Sequence, residues 1–128
     1  MASKKSVVGI EEWFYRRGYN STPVKKYMNP DGTATSRVFK LREGDNGELS
    51  VDVKSFTTAE TAVRDQSKYF LFEISNESVL SVNGLETFHD QLADGTNDAH
   101  AVIVGMTMED EIKPGLLARK SKRVYFVQ

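Results

Sequence analysis

The two histidines of the chain, His89 and His100, share one segment with three aspartates, Asp90, Asp94 and Asp98. If residues 85–89 and 99–104 pair as a hairpin across the polar stretch Gln91–Asp98, both rings approach each other with carboxylates beside them. Two imidazoles and a carboxylate can hold a divalent transition metal with a position left open for water. His89, His100 and Asp98 are then the candidate ligands. The same cluster can also act as a general acid–base pair, since histidine titrates near neutrality; His89, Asp90 and His100 are the candidate catalytic residues. The spacing matches neither His-Glu-x-x-His nor a cysteine-containing zinc pattern. The plainer expectation has His100 bonding backbone at the edge of a buried strand, His89-Asp90 shaping a loop, and no cofactor. Asp94-Gly95-Thr96-Asn97-Asp98 gathers oxygen ligands, yet it lacks the order and closing glutamate of a calcium loop and reads as a solvated turn.

A second constellation lies upstream. Arg16, Arg17, Lys25, Lys26, Arg37, Lys40 and Arg42 are interleaved with Trp13, Tyr15, Tyr19, Tyr27 and Phe39. Single-stranded nucleic acid needs both kinds of side chain, cations for phosphates and rings for bases. The candidate binding residues are Trp13, Arg16, Arg17, Lys25, Lys26 and Tyr27. Against this, the rings would serve equally well as core and the paired lysines as a solvated face. No Gly-rich phosphate loop, nucleophile elbow or kinase motif appears. Ser36, Ser50 and Thr58 are hydroxyls with no visible base.

These residues need elements to position them. Ile10, Trp13, Phe14 and Arg17 follow a helical spacing closed by Gly18, which predicts a helix over 10–19, although the Trp13-Phe14-Tyr15 cluster also suits a strand. Asn29-Pro30-Asp31-Gly32 is a turn. Ser36–Arg42 and Glu48–Val53 alternate on either side of a Gly/Asn-rich turn, which predicts a hairpin. Thr57-Thr58-Ala59-Glu60 has the form of a capping box with Thr57 as the cap, opening a helix to about Gln66. Tyr69–Ile74 and Ala99–Val104 are apolar strands, Ser78–Leu80 a short helical turn, and Leu85–His89 extended. A helix beginning near Met108 should be interrupted at Pro114-Gly115, leaving a short basic helix over 116–122 before a last strand over 123–128. The expected fold is α+β: a single compact domain over 1–128, with a mainly antiparallel sheet, two to three short helices and a flexible stretch at residues 1–8.

Composition bounds the function classes. The absence of cysteine excludes disulfides, thiolate metal sites and cysteine nucleophiles, and fits a reducing compartment. No apolar run approaches membrane-spanning length, so the expectation is a cytoplasmic protein without a membrane partner. Charge is sorted into blocks: +6 over residues 1–42, −12 over 43–112 and +5 over 113–128, summing to −1. The blocks either fold onto one another or present charged surfaces to partners.

In their order and spacing, Ser36-Arg37-Val38-Phe39, Leu49-Ser50-Val51-Asp52, Thr57-Thr58-Ala59-Glu60, His100–Gly105 and Ala118-Arg119 resemble an uncharacterised family of small bacterial proteins. The resemblance implies a bacterial cytoplasmic origin and brings no activity with it. The leading functional expectation is a non-enzymatic protein-interaction module, an accessory protein of the kind found in toxin–antitoxin or phage-defence loci, whose acidic middle steers a second protein. The alternatives are a metal-dependent hydrolase or nuclease on His89, Asp90 and His100, and nucleic-acid binding through the basic N-terminal third.

Overall fold

The computed structural model describes residues 5–20, 27–90 and 98–126. Seven strands among them form one sheet: β1 (Lys5–Val7), β2 (Trp13–Tyr19), β3 (Glu48–Val53), β4 (Tyr69–Ser75), β5 (Glu86–Asp90), β6 (His100–Val104) and β7 (Lys122–Val124). Their order across the sheet is β1-β5-β6-β3-β2-β4-β7, and every neighbouring pair is antiparallel. Three helices, α1 (Ala59–Val63), α2 (Asn76–Leu80) and α3 (Ile112–Lys120), complete a single compact α+β domain. None of the helices is long and apolar enough to cross a membrane.

Alternation along the strands sorts side chains to two faces. Leu49, Val51 and Val53 of β3, Phe14 of β2, Phe72 and Ile74 of β4, and Ala101 and Ile103 of β6 point to the main core. There they meet Val38 and Phe39, Val79 of α2, and Leu117 and Ala118 of α3. The other face carries a smaller cluster in which Tyr15 and Leu71 pack on Ala62 and Val63 of α1, with Val124 and Phe126 against them.

Two coverings explain the first departure from the sequence reading. Residues 13–19 form a strand, not a helix, because Phe14 and Tyr15 enter different cores. Adjacent buried rings on a strand covered on both sides blur the period-2 signal and imitate a helical stripe. Gly18 lies where a β-carbon would press on Tyr27 and Val38, both at 3.1 Å, so a small residue lets these segments approach.

The predicted hairpin does not form. Ser36–Phe39 is a 3-10 turn that buries Val38 and Phe39, and β3 pairs with β2 and β6 instead. The turn chemistry between them is as read: Asp45 Oδ2 accepts the Arg42 N–H at 2.8 Å, and Gly44, Asn46 and Gly47 take positive φ. The cap of α1 is Thr58, one residue later than expected, accepting the Thr61 N–H at 3.2 Å. That helix stops at Val63, well short of Gln66. Helix α3 runs through Pro114 because the proline is its third residue, where no intrahelical N–H bond is required. Asp110 Oδ1 accepts the N–H groups of Ile112 and Lys113 there. Lys5–Val7, within the stretch expected to be flexible, pairs with β5 as an edge strand.

Asn76 is the buried polar anchor. Its amide donates to Val8 O (3.1 Å) and Gly9 O (2.9 Å) and accepts from Thr87 Oγ1 (2.8 Å), joining the β1–β2 connection, α2 and β5. Both functions of the amide are used, so its burial carries no unpaired polar group.

Candidate functional site: a cationic cleft where the sheet parts

Strands β2 and β3 pair at only two positions, Phe14↔Val53 and Tyr15↔Asp52. Beyond them β2 continues along β4 to Tyr19↔Tyr69, whereas β3 continues along β6. The sheet therefore parts between Arg16 and Ser50. Arg16 bridges the opening: its Nε–H donates to Val38 O and its Nη1–H to Ser50 O, both at 2.8 Å. These bonds satisfy a carbonyl that the ladder has released. Burial, reinforced by Arg42 nearby, lowers the pKa of the Arg16 guanidinium to about 10.

A cleft of about 250 Å³ opens at this parting, lined by Tyr15, Arg16, Arg17, Ser50, Val51, Asp52, Arg64 and His100. Arg17 projects from the face opposite the main core. Its Nη1–H donates to Ala62 O at 2.8 Å, and Asp52 Oδ2 lies 3.8 Å away. Burial, and then the like charge of Arg64, hold the Arg17 pKa below the usual guanidinium range. Arg64 is the residue after α1 and has φ +67°, a conformation seldom taken by a side-chain-bearing residue. Among the described residues neither Arg42 nor Arg64 has a carboxylate within ion-pair distance.

His100 closes the cleft from β6. Its Nδ1 is 2.8 Å from Asp90 O and 3.8 Å from Asp90 Oδ2, and its Nε2 is 3.3 Å from Ser50 Oγ. A carbonyl can only accept, so Nδ1 carries the proton toward Asp90 and Nε2 is the edge presented to Ser50. A hydroxyl beside an imidazole edge is the first element of a nucleophile–base pair. The remaining polar groups of the cleft are mainly cations, which suits an anionic ligand.

The cleft does not end there. A smaller one, about 80 Å³, shares Arg16 and Arg17 with it and adds Tyr19, Tyr27, Arg42 and Tyr69. A third, about 210 Å³, shares Tyr69 and adds Asn20, Gln66, Phe70, Leu71, Arg123, Val124, Tyr125 and Phe126. Cations and rings touch along this path: Arg17 lies 5.6 Å from the Tyr69 ring centre and Arg42 5.8 Å from that of Tyr19. Arg123 is 4.7 Å from both the Phe70 and the Tyr125 rings. The buried Nε–H of Arg123 has no acceptor among the described residues. Arg123 stands opposite Phe72 on β4, so it projects to the main-core face, whereas Arg17 and Arg64 lie on the other side of the sheet.

The two histidines do not converge. His89 stands opposite Ala101 on β6, so it shares the face of Ala101, and His100, next in the chain, takes the other face. The expected β5–β6 pairing is present, and its alternation is what separates the rings. His89 stacks on Phe56 with centroids 4.9 Å apart, and its Nε2 meets the main-chain oxygen of Asp98 at 2.6 Å. No group of three histidine, cysteine, aspartate or glutamate side chains suited to a metal gathers among the described residues. Asp94–Asn97 lie outside the described residues, as do Lys25 and Lys26.

Of the other expected binding residues, Arg16, Arg17 and Tyr27 line the path. Trp13 sits at the opposite end of β2, beneath Lys54 at 5.9 Å. Sequence reasoning missed Ser50, Asp52 and Arg64 as site residues. The alternation of Glu48–Val53 does place Ser50 and Asp52 together away from the core, whereas nothing in the sequence marks the turn of Arg64. No protein-family model matches the chain, and neither the curated proteins nor the solved structures contain a match to it.

Proposed function

We propose that this protein is a non-enzymatic binding module whose ligand is single-stranded nucleic acid, held along the path from His100 to Tyr69. One observation carries the reading: two clefts that share Arg16 and Arg17 set Arg42 and Arg64 beside the rings of Tyr15, Tyr19, Tyr27 and Tyr69. Guanidinium groups neutralise phosphates, and rings accept bases of any sequence. Against the metal-dependent alternative stand the opposed faces of His89 and His100. The reading assigns the protein to the bacterial cytoplasm, where such a ligand is at hand.

Fluorescence anisotropy with a labelled oligothymidylate at low salt tests it. Saturable binding is expected, and R42Q/R64Q should weaken it at least tenfold while the melting temperature stays within a few degrees. Absence of binding, or binding indifferent to both arginines, would end the proposal.

A protein partner is the second reading, favoured by Val7 (80% exposed) and Phe56 (54%), which border a cleft of about 180 Å³ beside His89. It fits the small accessory protein of a toxin–antitoxin or phage-defence locus. Native mass spectrometry of protein purified from its own host should then show a defined second chain, lost in V7D/F56D.

A further inference from the structure

We infer that the cleft at the parting of β2 and β3 is a pocket for a terminal phosphate, the phosphomonoester at one end of the bound strand. The inference deepens the nucleic-acid reading and rests on it. Beyond His100 the next strand supplies Asp90, buried behind the imidazole with Oδ2 3.8 Å from Nδ1. A carboxylate in that position turns away a polyanion that would continue past the histidine.

The charge of the pocket is matched to an end and exceeds what an internal linkage needs. A phosphodiester carries one negative charge, whereas a phosphomonoester carries about 1.5–2 near neutrality. Arg17 and Arg64 both face the cleft, and Asp52, 3.8 Å from Arg17, is the carboxylate beside them. Their mutual repulsion contributes to the lowered pKa of Arg17, and a doubly charged group between them relieves it. Arg64 is brought to the cleft by its positive φ, a backbone conformation that costs energy and that clusters at ligand sites in proteins.

Ser50 and His100 supply the remaining geometry. The Asp90 carbonyl fixes Nδ1, so Nε2 and the Ser50 hydroxyl, 3.3 Å apart, form a polar pair at the rim. A phosphate oxygen can take the Ser50 O–H and share a proton with Nε2. A space of about 250 Å³ lies below the range typical of whole drug-sized ligands and suits a phosphate with part of its sugar.

The test uses three single strands of one sequence, internally labelled, ending in a 5′-phosphate, a 3′-phosphate or hydroxyls at both ends. One phosphorylated strand should bind at least about tenfold more tightly than the hydroxyl-ended strand, as one added charge-assisted contact would give. R64Q and S50A should each bring that ratio to about one, with S50A guarding against a folding artefact because Ser50 is exposed. Inorganic phosphate should compete only for the favoured strand. Equal affinities for all three strands overturn the pocket and leave the path standing. Failure of every strand to bind overturns both.

Discussion

At the scale of single residues, Arg16 shows how a charged side chain can substitute for a sheet ladder. Its guanidinium holds Val38 O and Ser50 O across the opening between β2 and β3. Hydrogen bonds to charged groups are each worth about 1.5–3 kcal/mol, and Arg16→Met removes both while relieving the burial of one charge. A net loss of about 2 kcal/mol in urea unfolding is expected, with Arg16→Lys in between. A methionine variant as stable as the parent would show that the opening is held by other contacts. Because burial lowers the folded pKa of Arg16 to about 10, the cost of its charge is present below that pH and is relieved between there and the ordinary arginine range. Arg16 therefore contributes no pH dependence near neutrality. Asp65 has the opposite sign. Its Oδ1 accepts the Ser67 hydroxyl at 2.6 Å and the Ser67 N–H at 2.9 Å, which hold its carboxyl below the usual range. That contribution is complete above the ordinary carboxylate pKa of about 3.9 and is lost as pH falls through the folded value. Melting curves should therefore separate Asp65→Asn from the parent near pH 6 and bring the two closer near pH 2.

Among elements, the β5–β6 pair depends on a close approach at its far end. Gly105 follows β6 with φ +114°, and a β-carbon there would collide with the carbonyl oxygen of Gly84. Gly105→Ala should cost at least about 3 kcal/mol, combining a backbone clash with a disfavoured dihedral. Gly44→Ala is the control: it shares a positive φ of +94°, but its β-carbon meets open space, and only about 1–2 kcal/mol should be lost. Equal losses in denaturant midpoints would mean that the dihedral alone matters. The same elements mark what the sequence made legible. β3, β4 and β6 were readable because their apolar alternation or continuity matches one dominant core. β2 was not, because Phe14 and Tyr15 serve two cores at once. The Ser36–Phe39 turn was not either, since consecutive burial of Val38 and Phe39 is settled by what packs above them and leaves no period. Pro114 misled because a proline near a helix start and one inside a helix look alike without a known boundary. The site was legible in its cations and tyrosines alone. Ser50, Arg64 and His100 meet through the parting of two strands, a feature of pairing that no local pattern encodes.

For the molecule as a whole, the block charges are woven together by the topology. Basic β2 lies between β3 and β4, both from the acidic middle, and β7 pairs with the outer side of β4. Among the described residues, two ion pairs join the N-terminal block to the middle, Arg17–Asp52 at 3.8 Å and Lys40–Glu111 at 2.9 Å. The second is solvent-exposed and worth little. The arrangement lowers the net field of the domain yet leaves Arg17, Arg42 and Arg64 along one path. That concentration has a measurable signature. For single strands, the logarithm of the binding constant falls with the logarithm of salt concentration with a slope of about −0.7 per phosphate neutralised. One phosphate held by Arg17 and Arg64 together and one held by Arg42 give a slope near −1.4, and affinity should drop about sevenfold between 50 and 200 mM salt. R42Q removes one of these contacts, so the slope should halve and the drop shrink to about 2.6-fold. A parent slope near zero would mean that the arginines meet no phosphate. A parent slope near −1.4 that is unchanged in R42Q would place the phosphates on other cations and leave the cleft beside Tyr19 without one.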